Sequence, residues 1–325
     1  MRKNWKGAAA VFAAVAAIML LVACTTPSTS GSSGSASSAA PKGPIVVGSK
    51  IDVEGPILGQ IILQTLKAKG FDVVDKTRTG ATQVVRQALT SGQIDVYPEY
   101  TANAVLVFHS DQKVDPSVLQ SATLTFETAK SEDASVGVVW LQPAPANNTW
   151  AVALPRKFAE ANNLKTLEDL AAYINKGGAF KIAGSQEFFT SAVAFPAFEK
   201  AYGFTIKPSQ QVALATGDTA VTEKAAATGA QGVNAAMAYG TDGTINALDL
   251  VVLEDPKGAQ PIYQPAPTFR ASVIQKYPEI ADILNPVFAK LDLATLQQLN
   301  KEAAVDGQSA ATVAQNWLKS QGIVQ

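Results

Sequence analysis

Short β-type runs alternate with amphipathic helical segments along most of this chain. β-type runs lie at 45–48, 71–74 and 94–97, and helical stripes of apolar residues lie between them at 58–66 and 84–89. Strands separated by helices of this length are typical of βαβ units. We therefore predict an α/β protein whose sheets are mostly parallel.

The same alternation resumes after a break rich in proline and asparagine at 143–148. A β-type run begins at Trp150, and a Thr-x-x-Asp signal at 166–169 predicts a helix N-terminus. A second proline-rich stretch, 255–267, lies where the chain would cross back, and helical patterns follow between 278 and 320. We expect two α/β lobes joined by two crossings, with the C-terminal helices on the first lobe and a ligand cleft between the lobes.

The N-terminus has the pattern of an exported lipoprotein. Three basic residues within the first six precede an apolar run at 7–22, and Cys24 follows small residues. This order predicts a secretory signal peptide, cleavage before Cys24 and a lipid attached to its thiol. The alternative is a core thiol within an uncleaved membrane anchor.

The segment that follows this cysteine has the composition of a flexible tether. Ser, Thr, Gly, Ala and Pro dominate it, so little apolar surface is available to offset the entropy of ordering. The predicted divisions are a signal peptide at 1–23, a tether at 24–43, a first lobe at 44–147 completed by 258–325, and a second lobe at 148–257.

Composition argues against several classes of function. The chain has 26 basic and 27 acidic residues, and removal of the signal peptide leaves 23 basic ones, so no basic stripe indicates nucleic-acid binding. One cysteine rules out disulfides within the folded part and a Cys/His zinc site. The single histidine, His109, makes a histidine-based triad or metal site improbable. We predict that His109 is a solvated residue at a helix end, and we predict no metal and no cofactor.

Five separated segments carry a resemblance to a known family. They are Gly48–Lys50, Ile94–Thr101, Pro143–Trp150, Tyr239–Gly243 and Ala266–Arg270. In this order they resemble the glycine betaine/choline substrate-binding proteins of osmoprotectant ABC importers, the OpuAC/ProX family, and within it a low-affinity branch. The resemblance runs from about residue 45 to the C-terminus. It implies a two-lobed periplasmic binding protein fold of type II, a monomeric receptor without catalytic residues, and an ABC permease as partner.

The ligands of this family carry a quaternary ammonium, which has no N–H to donate, so aromatic faces must recognise it. The resemblance places Tyr100, Trp150 and Tyr239 at cage positions. It places Lys50 at a contact with the ligand carboxylate, and Asn103 where relatives often have a threonine in that role.

Four further residues are candidates for the same site. Asn148 is expected to aim its carbonyl oxygen toward the cation. Tyr97, Glu54 and Asp242 are weaker candidates, and Tyr97 is expected to end a buried strand rather than to line the cleft. No catalytic residue and no metal ligand is predicted.

Two departures from the family pattern predict weak binding. The arginine expected shortly after Glu187 and Phe188 is replaced by the run 190–192, and no cage tyrosine stands near Thr222 and Glu223. Three rings at about 2 kcal/mol each supply roughly 6 kcal/mol if they add fully. A micromolar complex requires about 8 kcal/mol, so contacts to the carboxylate must provide the rest.

Two alternatives remain open. In the first, the same receptor would bind a zwitterion or an amine without a methylated nitrogen. The lack of the fourth cage tyrosine and of the expected arginine favours this alternative. An exported two-lobed hydrolase is the other, although the chain has neither a Gly-x-Ser-x-Gly elbow nor a P-loop. For each alternative, the signal peptide and Cys24 predict a lipid-anchored protein at the outer face of a cytoplasmic membrane or in a periplasm.

Overall fold

The computed structural model describes residues 42–214 and 218–325, which belong to one compact unit. The predicted signal peptide, nearly all of the tether and the lipidation site Cys24 lie outside these residues. Within the described ranges, no helix combines the length and the apolar character that crossing a membrane requires.

Ten strands and fifteen α-helices are numbered along the described part of the chain. The strands are β1 (Lys42–Lys50), β2 (Phe71–Gly80), β3 (Val96–Tyr100), β4 (Val138–Trp140), β5 (Trp150–Pro155), β6 (Ile182–Ser185), β7 (Gln211–Leu214), β8 (Ala235–Tyr239), β9 (Leu250–Val252) and β10 (Pro265–Arg270). The helices are α1 (Glu54–Ala68), α2 (Thr82–Thr90), α3 (Thr101–Asn103), α4 (Pro116–Leu119), α5 (Ala122–Ala134), α6 (Arg156–Ala161), α7 (Leu167–Asn175), α8 (Gln186–Thr190), α9 (Phe195–Tyr202), α10 (Thr219–Thr228), α11 (Thr244–Ala247), α12 (Ala271–Lys276), α13 (Glu279–Phe288), α14 (Leu293–Ala304) and α15 (Ala310–Ser320). A π-helical turn, Ala104–Phe108, continues α3.

The described strands form two five-stranded sheets. The first has the order β2-β1-β3-β10-β4 and the second the order β7-β6-β8-β5-β9. In each sheet one strand runs against the other four, β10 in the first and β5 in the second. These are the strands that the chain enters after passing from one sheet to the other. The prediction of an α/β protein with two mostly parallel sheets is confirmed.

Helix α1 forms because its apolar residues recur at helical spacing and lie almost wholly out of water against β1 and β2. Ile57, Leu58 and Ile61 are fully buried on it. The same apolar core includes Leu296 of α14 and Leu318 of α15. The C-terminal helices therefore pack against the first sheet.

The second sheet has its own core, which includes phenylalanines of α8 and α9 that contact one another edge to face. Helix α7 at its side begins at the predicted start signal. The hydroxyl of Thr166 accepts the N–H of Asp169 at 3.1 Å, and the Asp169 carboxylate accepts the N–H of Thr166 at 2.9 Å. The predicted capping box is confirmed.

The two passages between the sheets are hydrogen-bonded to each other. The N–H of Asn148 donates to the Tyr263 carbonyl at 3.0 Å, and the N–H of Tyr263 donates to Oδ1 of Asn147 at 2.8 Å. The Thr149 hydroxyl donates to the Pro261 carbonyl at 2.9 Å. The passages therefore run side by side as one hinge.

The prediction for His109 is wrong in one respect. Its N–H donates to the Ala104 carbonyl, so the residue does end a helical segment. Its imidazole is mostly buried, with 14 % of the side chain exposed, and Nε2 lies 2.8 Å from Oδ1 of the fully buried Asp133. Asp133 also pairs with Arg86 and accepts the indole N–H of Trp140. The structure thus gives His109 a partner 24 positions away, which local sequence does not show.

Candidate functional site

The first group of predicted residues surrounds the carboxylate of Glu99, which was not among the predictions. Glu99 is fully buried in β3. Its Oε1 lies 2.6 Å from Nζ of Lys50 and accepts the side-chain N–H of Asn103 at 2.9 Å and the backbone N–H of Tyr100 at 2.7 Å. Its Oε2 accepts the hydroxyl of Tyr97 at 2.9 Å. One carboxylate therefore holds four groups in place.

Lys50 and Tyr97 have different places in this group. The Lys50 ammonium lies 4.8 Å from the ring centroid of Tyr100, so it contacts a carboxylate and an aromatic face at once. Its side chain is only 8 % exposed. Tyr97 is fully buried in the core beside β3, and burial raises the pKa of its hydroxyl well above the usual range. Tyr97 therefore supports Glu99 from within the core.

Glu54, at the start of α1, is the second carboxylate of the group. Its Oε1 accepts the Tyr100 hydroxyl at 2.8 Å and the Asn148 amide N–H at 3.2 Å, and its Oε2 accepts the Asn300 amide N–H at 2.7 Å. Burial raises the pKa of the Glu54 carboxyl. Burial also raises the pKa of Tyr100, so its hydroxyl remains protonated and donates.

The second group contains the aromatic residues of the other sheet. Trp150 of β5 and Tyr239 of β8 lie opposite each other on neighbouring antiparallel strands. Their rings stack with centroids 6.4 Å apart and an angle of 23° between planes. Phe188 of α8 contacts the Trp150 ring edge to face at 6.1 Å. The pairing of two strands thus brings together two side chains that are 89 positions apart in the sequence.

Asp242 lies beside Tyr239, and a second acidic residue, Glu223, interacts with Asp242. Oδ2 of Asp242 accepts the N–H of Tyr239 at 2.7 Å, so this side chain fixes the turn that follows β8. Thr222 and Glu223, near which the resemblance leads us to expect a cage tyrosine, are both fully buried in α10. Glu223 pairs with the Thr244 hydroxyl, and burial raises the pKa of Glu223 to about 10.

Asn300 of α14 links the two groups, although it was not predicted. Its Nδ2 donates to Oε2 of Glu54 at 2.7 Å and to the Thr241 carbonyl at 2.8 Å. Gln297, one turn earlier, donates to the Gly240 carbonyl at 2.8 Å. Helix α14 therefore contacts both the Glu54 carboxylate and the turn that carries Tyr239.

The sequence contains a signal for one of the two missed residues. Glu99 is a charged residue between two tyrosines in a strand whose five residues are all buried, and such a position requires partners. Asn300 gives no comparable signal, because a polar residue in an amphipathic helix is ordinarily read as part of the solvated face.

Several buried polar atoms of the site have no hydrogen-bond partner within the described residues. They are Oδ1 of Asn148, Oδ1 of Asn300 and Nε1 of Trp150. The two amide oxygens are acceptors, and such oxygens attract the polarised methyl groups of a quaternary ammonium. The indole N–H is a donor suited to a carboxylate.

The run 190–192, where an arginine was expected, contains no charged residue. Thr190 ends α8, and its hydroxyl donates to the Gln186 carbonyl of the same helix at 2.9 Å. Cavities of about 540 Å³ beside Leu164 and about 410 Å³ beside Phe108 lie elsewhere on the surface. Neither is lined by a predicted ligand-binding residue.

The fold consists of two mostly parallel sheets with helices around them, joined by two crossings. One sheet carries the stacked aromatic pair, and the other carries the cluster of Lys50, Tyr100 and Glu99. This combination defines a two-lobed solute receptor. Residues 43–320 match the model of the family described as the substrate binding domain of ABC-type glycine betaine transport system, OpuAC. The chain belongs to this family. It is a substrate-binding receptor for a betaine-type solute that works with an ABC permease, and it is not an enzyme.

Known relatives extend the match over most of the chain. The glycine betaine-binding protein YehZ of Escherichia coli is 52% identical over 280 residues, which cover 86% of this chain and 91% of that protein. A glycine-betaine-binding protein of Pseudomonas aeruginosa is 31% identical, covering 84% and 86%. The structure of apo YehZ from Escherichia coli has a TM-score of 0.78 over 86% of this chain and 99% of that one.

Proposed function

We propose that this receptor binds a quaternary-ammonium compatible solute of the glycine betaine type against Tyr100, Trp150 and Tyr239. The observation that carries the proposal is the stacked pair of Trp150 and Tyr239, whose two large π-faces are held nearly parallel by strand pairing. Such faces attract a cation that cannot donate a hydrogen bond. The two relatives above are both named for glycine betaine binding, which supports the same ligand class.

The remaining candidates divide into contact and positioning roles. Lys50 and Asn103 lie on the Glu99 side of the Tyr100 ring and are assigned to the ligand carboxylate. Asn148 is assigned to the ligand methyl groups because its Oδ1 lacks a partner in the described chain. Glu54 and Asp242 position Tyr100 and Tyr239.

Affinity for glycine betaine is proposed to be low. A bidentate, charge-assisted arginine pair contributes about 1.5 to 3 kcal/mol, which corresponds to one to two orders of magnitude in the dissociation constant. Thr190 cannot replace that contribution, because its hydroxyl is uncharged and bonded within α8.

A second ligand class is favoured by one observation. Oδ1 of Asn148 is a buried acceptor, and a ligand with an N–H group would give it a full hydrogen bond, whereas a quaternary ammonium offers only the weaker contact of its polarised methyl groups. A zwitterion or amine without a methylated nitrogen is therefore the alternative ligand for the same receptor.

The signal peptide predicted at 1–23 supports a proposal for the cellular location of the receptor. We propose that Cys24 carries a lipid and that residues 24–43 tether the receptor, as a monomer, to the outer face of the cytoplasmic membrane or within a periplasm. The lobes are proposed to comprise 44–147 with 258–325, and 148–257. Closure of the lobes on the ligand would then present a distinct surface to the permease.

Calorimetric titration tests the ligand class. We expect heat with glycine betaine, and we expect Trp150→Leu or Tyr239→Leu to weaken its binding about 30-fold, because each ring contributes on the order of 2 kcal/mol. Choline, carnitine and proline betaine complete the quaternary-ammonium panel, and glycine and a primary amine represent the alternative class.

The matched control is Tyr173→Leu. Tyr173 forms an aromatic pair with Phe158 at 5.9 Å away from the candidate site, so its loss should leave affinity within about twofold. No heat with any quaternary ammonium would contradict the proposal. Full affinity retained in both cage variants would instead indicate the hydrogen-bonding ligand class.

A further inference from the structure

The Lys50 ammonium occupies one face of the Tyr100 ring, which is one of the three rings proposed above to hold a ligand cation. Nζ lies 4.8 Å from the Tyr100 ring centroid, within the range of a cation–π contact. The side chain is almost fully buried, and its ammonium is held there by Glu99 at 2.6 Å. The described structure thus already has a cation on Tyr100, supplied by the chain itself.

A second cation cannot share this face without cost. Two like charges within about 4 to 6 Å disfavour each other strongly where water is excluded. A ligand ammonium that reaches this face of Tyr100 must therefore bind beside Lys50 against repulsion, or Lys50 must move away from the ring.

The other hydrogen bonds of the Glu99 carboxylate allow the Lys50 ammonium to move away from it. Besides the ammonium, its carboxylate accepts three hydrogen bonds, from Tyr97, Asn103 and the backbone N–H of Tyr100, at 2.7 to 2.9 Å. A buried carboxylate left with one cation as its sole partner would lose that partner at great cost. With three donors in place, the Glu99 carboxylate stays solvated by the protein when the ammonium moves.

We propose that Lys50 selects zwitterions over simple cations by occupying the Tyr100 face until a ligand carboxylate draws it away. A betaine-type ligand supplies both the ammonium that takes the ring and the carboxylate that takes the lysine. A simple cation such as choline supplies only the first. This inference rests on the proposed function and names the subclass of ligand that the site prefers.

The test compares two ligands on the same variants. Lys50→Gln keeps a donor for Glu99 but removes the charge, and Lys50→Met combined with Glu99→Gln removes both charges. We expect choline to bind about tenfold more tightly to each variant and glycine betaine about tenfold more weakly, because the ring is vacated and a carboxylate contact is lost. The ratio of the two dissociation constants then changes by about 100-fold.

The chain offers a matched control at the other end of β1. Nζ of Lys42 lies 2.5 Å from Oε1 of Glu279 and 5.4 Å from the Phe71 ring centroid, so it repeats the lysine, carboxylate and ring arrangement away from the site. Lys42→Met combined with Glu279→Gln should leave both dissociation constants within about twofold.

The ratio is informative even if a variant folds poorly, because a loss of folded protein weakens both ligands together. A ratio that stays within about threefold of the original in both Lys50 variants, while glycine betaine binds the unaltered protein, overturns the role of Lys50 and leaves the proposed function intact. If the unaltered protein binds neither ligand, the proposed function itself fails.

Discussion

Glu223 is a fully buried acidic residue that interacts with the half-buried Asp242 in the turn after β8. Glu223 is fully buried, its Oε1 has no hydrogen-bond partner among the described residues, and burial raises its pKa to about 10, with the Asp242 charge adding to the effect. Burial also raises the pKa of Asp242. Glu223 therefore retains its proton near neutral pH, since its burial and the charge of Asp242 both oppose its ionisation.

This raised pKa gives stability a definite dependence on pH. Above the ordinary glutamate pKa of 4.5, the unfolded chain releases the Glu223 proton while the folded chain keeps it. The folded state then binds more protons than the unfolded state, so the free energy of unfolding falls as pH rises toward about 10.

Glu223→Gln should remove this fall in the free energy of unfolding as pH rises. The glutamine amide donates where the shared proton lies, so we expect the variant to gain stability over the unaltered protein progressively from about pH 5 to about pH 9. Urea unfolding at several pH values measures the difference. Glu127→Gln, at an exposed glutamate, is the control and should give a profile parallel to the unaltered protein. Parallel profiles for Glu223→Gln would show that Glu223 is ionised in the folded state.

Motifs in the sequence select single residues as candidates, and the ligand contacts of those candidates stay predictions, whereas partners that lie far apart in the chain leave no local pattern. Tyr100, Trp150 and Tyr239 were chosen from motifs, and the stacking of Trp150 on Tyr239 agrees with a shared surface. Asn300 was missed because its partner Glu54 lies 246 positions earlier, and only the packed structure brings the two together.

Among the elements, α14 connects the core of the first sheet with the turn after β8. Leu296 and Leu299 of this helix are buried in the first core. Asn300, on the same buried side, is 4 % exposed and bonds both Glu54 and the Thr241 carbonyl. A polar residue on the buried face of a helix is stable only with such partners.

Asn300→Ala should uncouple these elements. The change leaves Oε2 of Glu54 and the Thr241 carbonyl without this donor, so we expect the free energy of unfolding to fall by about 1 to 3 kcal/mol. We also expect glycine betaine to bind about three- to tenfold more weakly, because Tyr100 and the Tyr239 turn lose their common link. Urea unfolding and calorimetry measure the two effects.

The control for this prediction is Gln298→Ala. Gln298 lies on the exposed side of α14 and bonds only Glu302 among the described residues, at 2.9 Å. Its loss should change neither stability nor affinity by more than about 0.5 kcal/mol. Reduced stability of Asn300→Ala with unchanged affinity would assign Asn300 to folding alone.

The strand β10 shows why element prediction fails at the crossing. Its prolines made residues 255–267 look like a connection only, because proline has no N–H for a sheet and is rare in central strands. Here the carbonyls of Pro265 and Pro267 accept the N–H groups of Ala144 and Leu141. Pro267 also lies opposite Pro98 on β3, so two residues without N–H face each other. The pairing depends on how β3 and β10 come together in the folded chain, which the local sequence does not show.

At the scale of the whole molecule, the largest apolar core of each sheet is connected to the other by the two crossings and by hydrogen bonds of α14. The first core contains β1, α1 and the C-terminal helices, and the second contains β5, β8 and the phenylalanines of α8 and α9. Hydrogen bonds from α14 to the carbonyls of Gly240 and Thr241 join elements of the two cores. A ligand held by Tyr100 on one side and by Trp150 and Tyr239 on the other would add to these links.

Ligand binding should therefore stabilise the whole molecule by mass action. A ligand that binds only the folded state adds RT ln(1 + [L]/Kd) to the free energy of unfolding, or about 2.7 kcal/mol at 100 times Kd. We expect the melting temperature to rise with the logarithm of glycine betaine concentration once Kd is exceeded, by a few degrees in total for a protein of this size.

Glycine betaine at high concentration also stabilises proteins without binding, because osmolytes are excluded from protein surfaces. The variant carrying both Trp150→Leu and Tyr239→Leu separates the two effects. Exclusion acts on this variant as on the unaltered protein and grows in proportion to concentration, whereas the logarithmic increase should disappear. If the two proteins show the same dependence of melting temperature on concentration, the stabilisation does not come from a site containing these rings, and the aromatic faces of β5 and β8 have no role in holding the ligand.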